Sequence, residues 1–372
     1  MSSPYTKYQP LFTDEAKVSR YVFLMKRSIH PFQWMCLVLG IYVVFSTFPE
    51  GNMRQAMRGT PLTTVKSSQA PMTLAQFMRT NERIIGANVV ENCECGCIGS
   101  GVKSCPRQYD LFDVDRSANI VITRDIANQI ELTHLEMKRE SQIACFDKNS
   151  SGLQHLTKSG GYCLKSFLKL SQEQGMDRGD IVLPFPDRPI QIPKGHVPAS
   201  PSLTGLLFSF INKEGITSLN EFGAGLGQYG ADIERRYTKS FIYRGYDGAG
   251  DVESYTHGYV QFADLATPLN LPQSDWVLFL QVGEHVPSHL EGMVIRNLHA
   301  HNCRGILLSW SPPGQGGLNI VNLHDNEYII DIFTQLGYVY DIEESNRFRN
   351  GLKDNNWLSK SFMILRRKNP VC

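Results

Sequence analysis

Neither sign of charge is in excess in this chain: 37 Lys and Arg stand against 36 Asp and Glu over 372 residues, a formal charge of +1. That balance leaves no reason to expect nucleic acid or an acidic polymer as a partner. No internal repeat is present, so a solenoid or propeller is excluded. Nine cysteines occur without a single C-x-x-C pair, and no histidine lies close to Cys93-Glu-Cys95-Gly-Cys97 and Cys105. Zinc is therefore the minority reading of that cluster. With 42% apolar and 20% charged residues, what remains is an ordinary globular chain with room for about two domains.

Charge is also missing locally, and there the absence is informative. From Ser28 to Pro49 there is no Lys, Arg, Asp or Glu, and residues 31–48 read PFQWMCLVLGIYVVFSTF. As a helix rising roughly 1.5 Å per residue, this run spans about 33 Å, enough to cross a bilayer core. Trp34 and Tyr42 suit interfacial or lipid-facing positions. Lys7, Lys17, Arg20, Lys26 and Arg27 precede it against only Asp14 and Glu15. The positive-inside rule then keeps the N-terminus cytosolic and sends residues 50–372 to the lumen or outside. The alternative is a cleaved signal peptide, but its leader would be long and Val44-Phe-Ser46 is a poor cleavage site. Setting Cys36 aside, eight cysteines (93, 95, 97, 105, 145, 163, 303, 372) fall on the oxidising side. An even number there reads as disulfides whose pairing stays open. Asn149-Ser-Ser151 is a glycosylation sequon.

The expected organisation is a tail (1–30), a signal anchor (31–49), a stem (50–89), a cysteine-bearing luminal region with a Pro-rich linker (90–200) and a sheet domain (201–372). In the cysteine-bearing region Ile126, Ile130, Thr133 and Met137 mark one helix face, and Leu164, Phe167, Leu168 and Leu170 another. Prolines at 184, 186, 189, 193, 198 and 201 forbid a regular helix and mark the boundary. Beyond it the pattern alternates. A helix is expected over 203–212 and a strand over 218–222, then a helix over 228–237 and strands over 241–246, 259–262 and 276–280. Ser288-His-Leu-Glu291 reads as a capping box opening a helix with Leu290, Val294 and Leu298 inward. A strand at 305–310, a helix through Ile329, Phe333 and Leu336, and strands at 338–342 and 361–365 complete the series. Such alternation predicts an α/β, doubly wound, mostly parallel sheet.

Four segments then line up at strand C-termini, where open α/β sheets bind ligands. The first is Glu221-Phe-Gly223-Ala-Gly225-Leu-Gly227, where glycines let main-chain N–H groups and a helix N-terminus approach a nucleotide-like ligand. Asp247, 24 residues beyond Gly223, can accept from both hydroxyls of a ribose, and Asp264 from an exocyclic adenine amine. Either could equally be a turn residue or a helix cap. The fourth segment is Gln281-Val-Gly-Glu284-His285.

On these residues the chain from 201 to 372 resembles a class I S-adenosylmethionine-dependent methyltransferase. Glu221–Gly227 is similar to that family's first motif, and Asp247 and Asp264 fall where its ribose- and adenine-binding acids stand. Val277-Leu-Phe-Leu-Gln-Val-Gly-Glu-His-Val-Pro287 and Ser309-Trp-Ser-Pro-Pro-Gly-Gln-Gly-Gly317 resemble the segments after strands four and five of one subset. In that subset a histidine often follows the second segment where Asn319 stands here, with His324 further on. The resemblance implies a seven-stranded Rossmann-like sheet with an antiparallel last strand, and S-adenosylmethionine as cofactor. It implies a cofactor site formed by Glu221, Gly223, Gly225, Gly227, Asp247, Asp264 and Gln281. His285 and Glu284 are the candidate general bases, a histidine titrating near neutrality; the other reading is that both merely shape the turn. Gln315 and Trp310 are expected to line the acceptor pocket. The acceptor itself (glycan, lipid, protein or small molecule) stays open.

Three rivals follow from other features. An NAD-dependent oxidoreductase would use Gly225-x-Gly227-x-x-Gly230, but no Tyr-x-x-x-Lys pair supplies a proton relay. A glycosyltransferase would use Asp113-Val-Asp115 to hold manganese. A methyltransferase-like scaffold would keep the pocket and lack turnover.

Overall fold

The computed structural model describes residues 71–85, 107–146, 157, 159–175, 179–184, 189–193, 196, 198–237, 240–355 and 357–372. The expected tail and signal anchor, the sequon and the cysteines at 93, 95, 97 and 105 lie outside these residues. Among the described residues no helix is long and apolar enough to cross a membrane.

The first elements are α1 (Leu74–Ile84), α2 (Leu111–Ala118), α3 (Arg124–Phe146) and α4 (Leu164–Glu173). A two-stranded antiparallel ribbon follows, β1 (Asp180–Val182) with β2 (Pro189–Gln191). α1 falls in the stretch read as stem. Thr73 and Gln76 form a reciprocal capping box at its start, and Phe77 and Ile84 are buried, so it is a packed helix.

Beyond the prolines come α5 (Pro201–Glu214), β3 (Ser218–Phe222), α6 (Gln228–Arg236), β4 (Ile242–Asp247), α7 (Val252–Tyr255), β5 (Val260–Phe262) and β6 (Ser274–Leu280). Then follow α8 (Glu291–Ala300), β7 (Asn302–Ser309), α9 (Asn326–Gln335), β8 (Tyr338–Tyr340), α10 (Ile342–Gly351), α11 (Leu358–Ser361) and β9 (Phe362–Arg367). The strand order is β5-β4-β3-β6-β7-β9-β8. β3 to β7 pair in parallel, and β9 inserts antiparallel between β7 and β8. This is the doubly wound, mostly parallel, seven-stranded sheet expected.

Consecutive apolar residues make the central strand. Trp276, Val277, Leu278 and Phe279 are all at most 1% exposed, which requires cover on both faces. On one face Leu203, Leu207, Phe210 and Ile211 of α5 pack on Leu219, Trp276 and Leu278. α5 is bounded by Ser200, whose hydroxyl accepts from Leu203 N, and by Gly215 in the left-handed region. On the other face Met293, Val294 and Leu298 of α8 cover Val277, Phe279 and Ile306, and Tyr109, Leu111 and Val114 of the N-terminal part join the same cluster.

Two local expectations are corrected. The capping box at Ser288 does not form: residues 288–290 are a 3-10 turn, α8 starts at Glu291, and that carboxylate is drawn inward by Tyr109, Asn322, His324 and Tyr328. The strand expected over 338–342 stops at Tyr340, because Asp341 accepts from Glu344 N and starts α10.

Candidate cofactor and acceptor cleft

One cavity of about 430 Å³ opens at the C-terminal edge of the parallel strands. Its floor is the turn after β3. Gly223, Gly225 and Gly227 all have positive φ (71°, 56° and 73°). Gly223 N and Ala224 N donate to Tyr246 O at 2.8 and 2.9 Å, which ties the turn to β4. At Gly225 a side chain would have to share space with the imidazole of His196, 3.0 Å from an ideal Cβ. Gly227 caps α6 with no side-chain hydrogen bond, so the amides of the first turn are not taken by a capping side chain.

Asp247 ends β4 and braces the turn. Its carboxylate accepts from Gly225 N at 2.8 Å and from Ala249 N at 2.9 Å. Burial raises its pKa, opposed by those two hydrogen bonds. Asp264 follows β5 and accepts from Ala266 N at 2.9 Å and from the Ser159 hydroxyl at 2.7 Å. Its pKa is raised by burial as well. Beneath the turn Glu221, 4% exposed, accepts from Tyr243 Oη at 2.6 Å. Burial pushes its pKa up to about 8; Tyr243 opposes the shift and the charge of Asp247 adds to it.

Across the cleft lie the residues after β6. Gln281 has φ +54° and is held on all sides. Its Nε2 donates to the Ser309 and Ser361 hydroxyls, and its Oε1 accepts from Gln315 Nε2 and lies 3.0 Å from Ser311 Oγ. Glu284 Oε1 accepts from Ser311 Oγ at 2.6 Å, while Oε2, also buried, has no hydrogen-bond partner among the described residues. Burial raises the Glu284 pKa. His285 stands beside it, half-buried, with Nδ1 3.1 Å from both Tyr162 Oη and Asn319 O.

All the expected site residues except Gly227 line this single cavity; Gly227 sits behind it as the cap of α6. Gln315 also lines it, whereas Trp310 is fully buried below, its ring against Gly283 and its Nε1 bonded to Asn322 O. Sequence reasoning missed Ser159, Gly160, Gly161, Tyr162 and His196, which form a wall. No motif marks them; the Gly160-Gly-Tyr-Cys163 run is the available hint.

The Asp-x-Asp sequence takes no part in the cleft. Asp113 pairs with Arg83 at 2.6 and 2.8 Å, and Asp115 with His299 at 3.1 Å. Among the described residues no group of three or more His, Cys, Asp or Glu is placed to hold a metal. Cys145 and Cys163 are bridged, while Cys303 and Cys372 are not.

No protein-family model and no curated protein matches the chain. Solved structures do. A magnesium protoporphyrin IX methyltransferase from Synechocystis PCC 6803 with bound SAH matches at 12% identity and a TM-score of 0.33, over 65% of this chain and 99% of that one. A SAM-bound amino pentose methyltransferase from Micromonospora echinaspora matches at 13% and 0.36, over 47% and 94%. A bacterial Hen1 methyltransferase domain matches at 13% and 0.35, over 45% and 97%. At such values the matches add nothing to the strand order and register from which the fold is read.

Proposed function

We propose that residues 201–372, which have the class I methyltransferase fold, bind S-adenosylmethionine and transfer its methyl group to an acceptor seated over His285. One observation carries this reading: the glycine turn, the α6 N-terminus and two carboxylates on adjacent strand ends border the same cavity as Glu284 and His285. The fit is chemical. The first amides of α6 suit a carboxylate, Asp247 lies where ribose hydroxyls would donate, and Asp264 where an adenine amine would. When bound, the cofactor supplies a methyl group already activated as a sulfonium. The chain's own tasks are alignment, exclusion of water and removal of the acceptor's proton. His285 is the base in this reading. Glu284, its pKa raised by burial and one oxygen unpaired, would hold the acceptor by a hydrogen bond.

We further place the domain on the luminal or outer side of a membrane, tethered by residues 31–49. The uncharged run with its basic flank and the Cys145–Cys163 bridge support that placement.

Isothermal calorimetry on the purified chain tests the cofactor reading. S-adenosylmethionine should bind, NAD should not, and Asp247→Ala should weaken binding by at least about tenfold, as loss of a charge-assisted hydrogen bond does. Tritiated-methyl transfer to secretory-pathway extracts then separates an enzyme from a scaffold that binds without turnover. Absence of binding heat in the wild type ends the proposal.

A further inference from the structure

The wall of the cleft that sequence reasoning missed comes from the region outside the sheet domain, and it touches both ends of the cavity. Thr157 and Gly161 close a tight turn, Thr157 N donating to Gly161 O at 2.9 Å and Gly161 N to Thr157 Oγ1 at 2.8 Å. At one end Ser159 Oγ donates to Asp264. In the middle the main chain comes so close that a Cβ at Gly160 would lie 2.2 Å from His285 O. At the other end Tyr162 reaches His285, ring centroids 5.3 Å apart and nearly perpendicular.

The segment is fastened on its far side. Leu164 N and Lys165 N, at the start of α4, donate to the two oxygens of Asp251 at 2.9 and 2.8 Å. Cys163, between Tyr162 and that anchor, is bridged to Cys145 at the end of α3.

The hydrogen bonds around His285 fix where its proton sits. Tyr162 Oη has one proton, and Leu318 O, 2.6 Å away, can only accept it. What Oη then presents to Nδ1 is a lone pair. Asn319 O, the other neighbour of Nδ1, is a carbonyl and also only accepts. Asn319 has φ +51°, a left-handed conformation that asparagine tolerates. Flanked by two acceptors, Nδ1 must carry a hydrogen, and a neutral ring then has none on Nε2. Burial raises the Tyr162 pKa, with the charge of Glu284 adding to it, so the phenol keeps the proton it gives to Leu318.

We propose that Tyr162 is a positioning residue for His285: it holds the imidazole with Nδ1–H turned to protein and leaves Nε2 to take the proton of the methyl acceptor. The proposal rests on the reading of the cavity as a methyl-transfer site. In the step it serves, the acceptor's proton passes to Nε2, giving an imidazolium that returns it to water. The electron pair left on the acceptor atom would form the bond to the methyl carbon while the carbon–sulfur bond breaks, its pair leaving on the sulfur of S-adenosylhomocysteine as a neutral thioether. The region before residue 200 thereby supplies part of the chemistry.

The tautomer can be read without knowing the acceptor. The 372-residue chain, labelled with ¹⁵N at histidine, gives a long-range ¹H–¹⁵N spectrum in which H285N assigns the ring. With the ring neutral, the wild type should show Nδ1 protonated and Nε2 bare. Y162F, which frees Leu318 O and removes one of the two acceptors at Nδ1, should show a mixture of tautomers. Nε2–H as the main wild-type form, or an unchanged tautomer in Y162F, overturns the proposal. Should Y162F not fold, Asp251→Ala, which removes both acceptors that fasten the start of α4 and the segment carrying Tyr162, replaces it: a mixture supports the proposal and an unchanged tautomer overturns it. If the wild type fails to bind S-adenosylhomocysteine while keeping its tautomer, the cofactor reading is lost and the imidazole geometry stands, so the two failures are told apart.

Discussion

The sheet domain and the segment before it differ in how much apolar core each owns. Residues 201–372 bury large apolar clusters on both faces of one sheet, so hydrophobic burial dominates there. The earlier part owns one small cluster of its own, Met72, Phe77, Ile126 and Ile130. Its hold on the sheet domain is mixed: Ile84, Tyr109, Leu111 and Val114 join one apolar cluster of that domain, Leu164, Leu183, Ile190 and Ile192 join another, and long-range polar links are added to these. Tyr109 Oη donates to Glu291, and Arg296 Nη2 donates to Ser117 O. Lys138 pairs with Glu253 at 2.6 Å, and Asp251 caps α4. The contrast teaches that several buried charges of the sheet domain exist to seat its neighbour. Without that neighbour the cleft would lack a wall.

The strongest way to break this arrangement is at Glu291. Its carboxylate is 2% exposed and takes hydrogen bonds from Tyr109, Tyr328 and Asn322 at 2.7 to 2.9 Å and from His324 at 2.5 Å. Those donors outweigh burial, and its pKa is lowered overall. Glu291→Ala leaves four donors without their acceptor and should cost about 3–5 kcal/mol in urea unfolding, the range for breaking a buried charged network. Glu291→Gln keeps two acceptor positions on its carbonyl oxygen and should cost less. A loss under about 1 kcal/mol for the alanine variant would mean that the two regions are not joined there.

A smaller effect is expected at Asp251, which acts as an N-cap supplied from another part of the chain. Asp251→Ala should lower stability by about 1–2 kcal/mol, the usual cost of a lost cap. Limited proteolysis between residues 157 and 165 should speed up while cleavage within the sheet domain does not. Equal acceleration in both regions would show that the segment does not open separately.

What was legible in the sequence divides along the same line. The central strands β6 and β7 were readable because each carries a short apolar run buried on both faces, while β4 and β5, only partly buried, were readable from the turn residues that close them. Gly223, Gly225, Asp247, Asp264 and His285 were readable because strand ends in such a sheet converge on one edge. Tyr162 and Ser159 were not, because their role depends on a fold-back across more than 100 residues, which local pattern does not encode: Ser159 and Asp264 are 105 apart and Tyr162 and His285 are 123 apart. Trp310 was misplaced for a related reason. An aromatic after a strand can face the cleft or lie below it, and Gly283, with no side chain, lets the ring lie below. Asp113 and Asp115 show the reverse case, a chemically suggestive pair that holds α2 to Arg83 and His299.

The finest distinction concerns Glu221, which lies in the sheet domain but has the burial of a core residue and the position of a ligand-binding one. Its folded-state pKa is raised to about 8 from an ordinary 4.5, burial being the largest cause. An acid raised on folding binds more protons folded than unfolded between those two values. Its contribution to stability is therefore full below about pH 4.5, falls as pH rises, and is lost above about pH 8. The slope cannot exceed roughly 1.4 kcal/mol per pH unit for one proton, and other titrating groups reduce what is seen to about 1 kcal/mol. Urea unfolding at pH 6 and pH 7 should show the wild type losing stability over that interval, and Glu221→Gln, which cannot ionise, should lose less. Equal slopes would mean that Glu221 is charged in the folded chain at both pH values. Its bond with Tyr243 would then be a charge-assisted one, and a negative charge would stand under the glycine turn where a neutral carboxyl is expected.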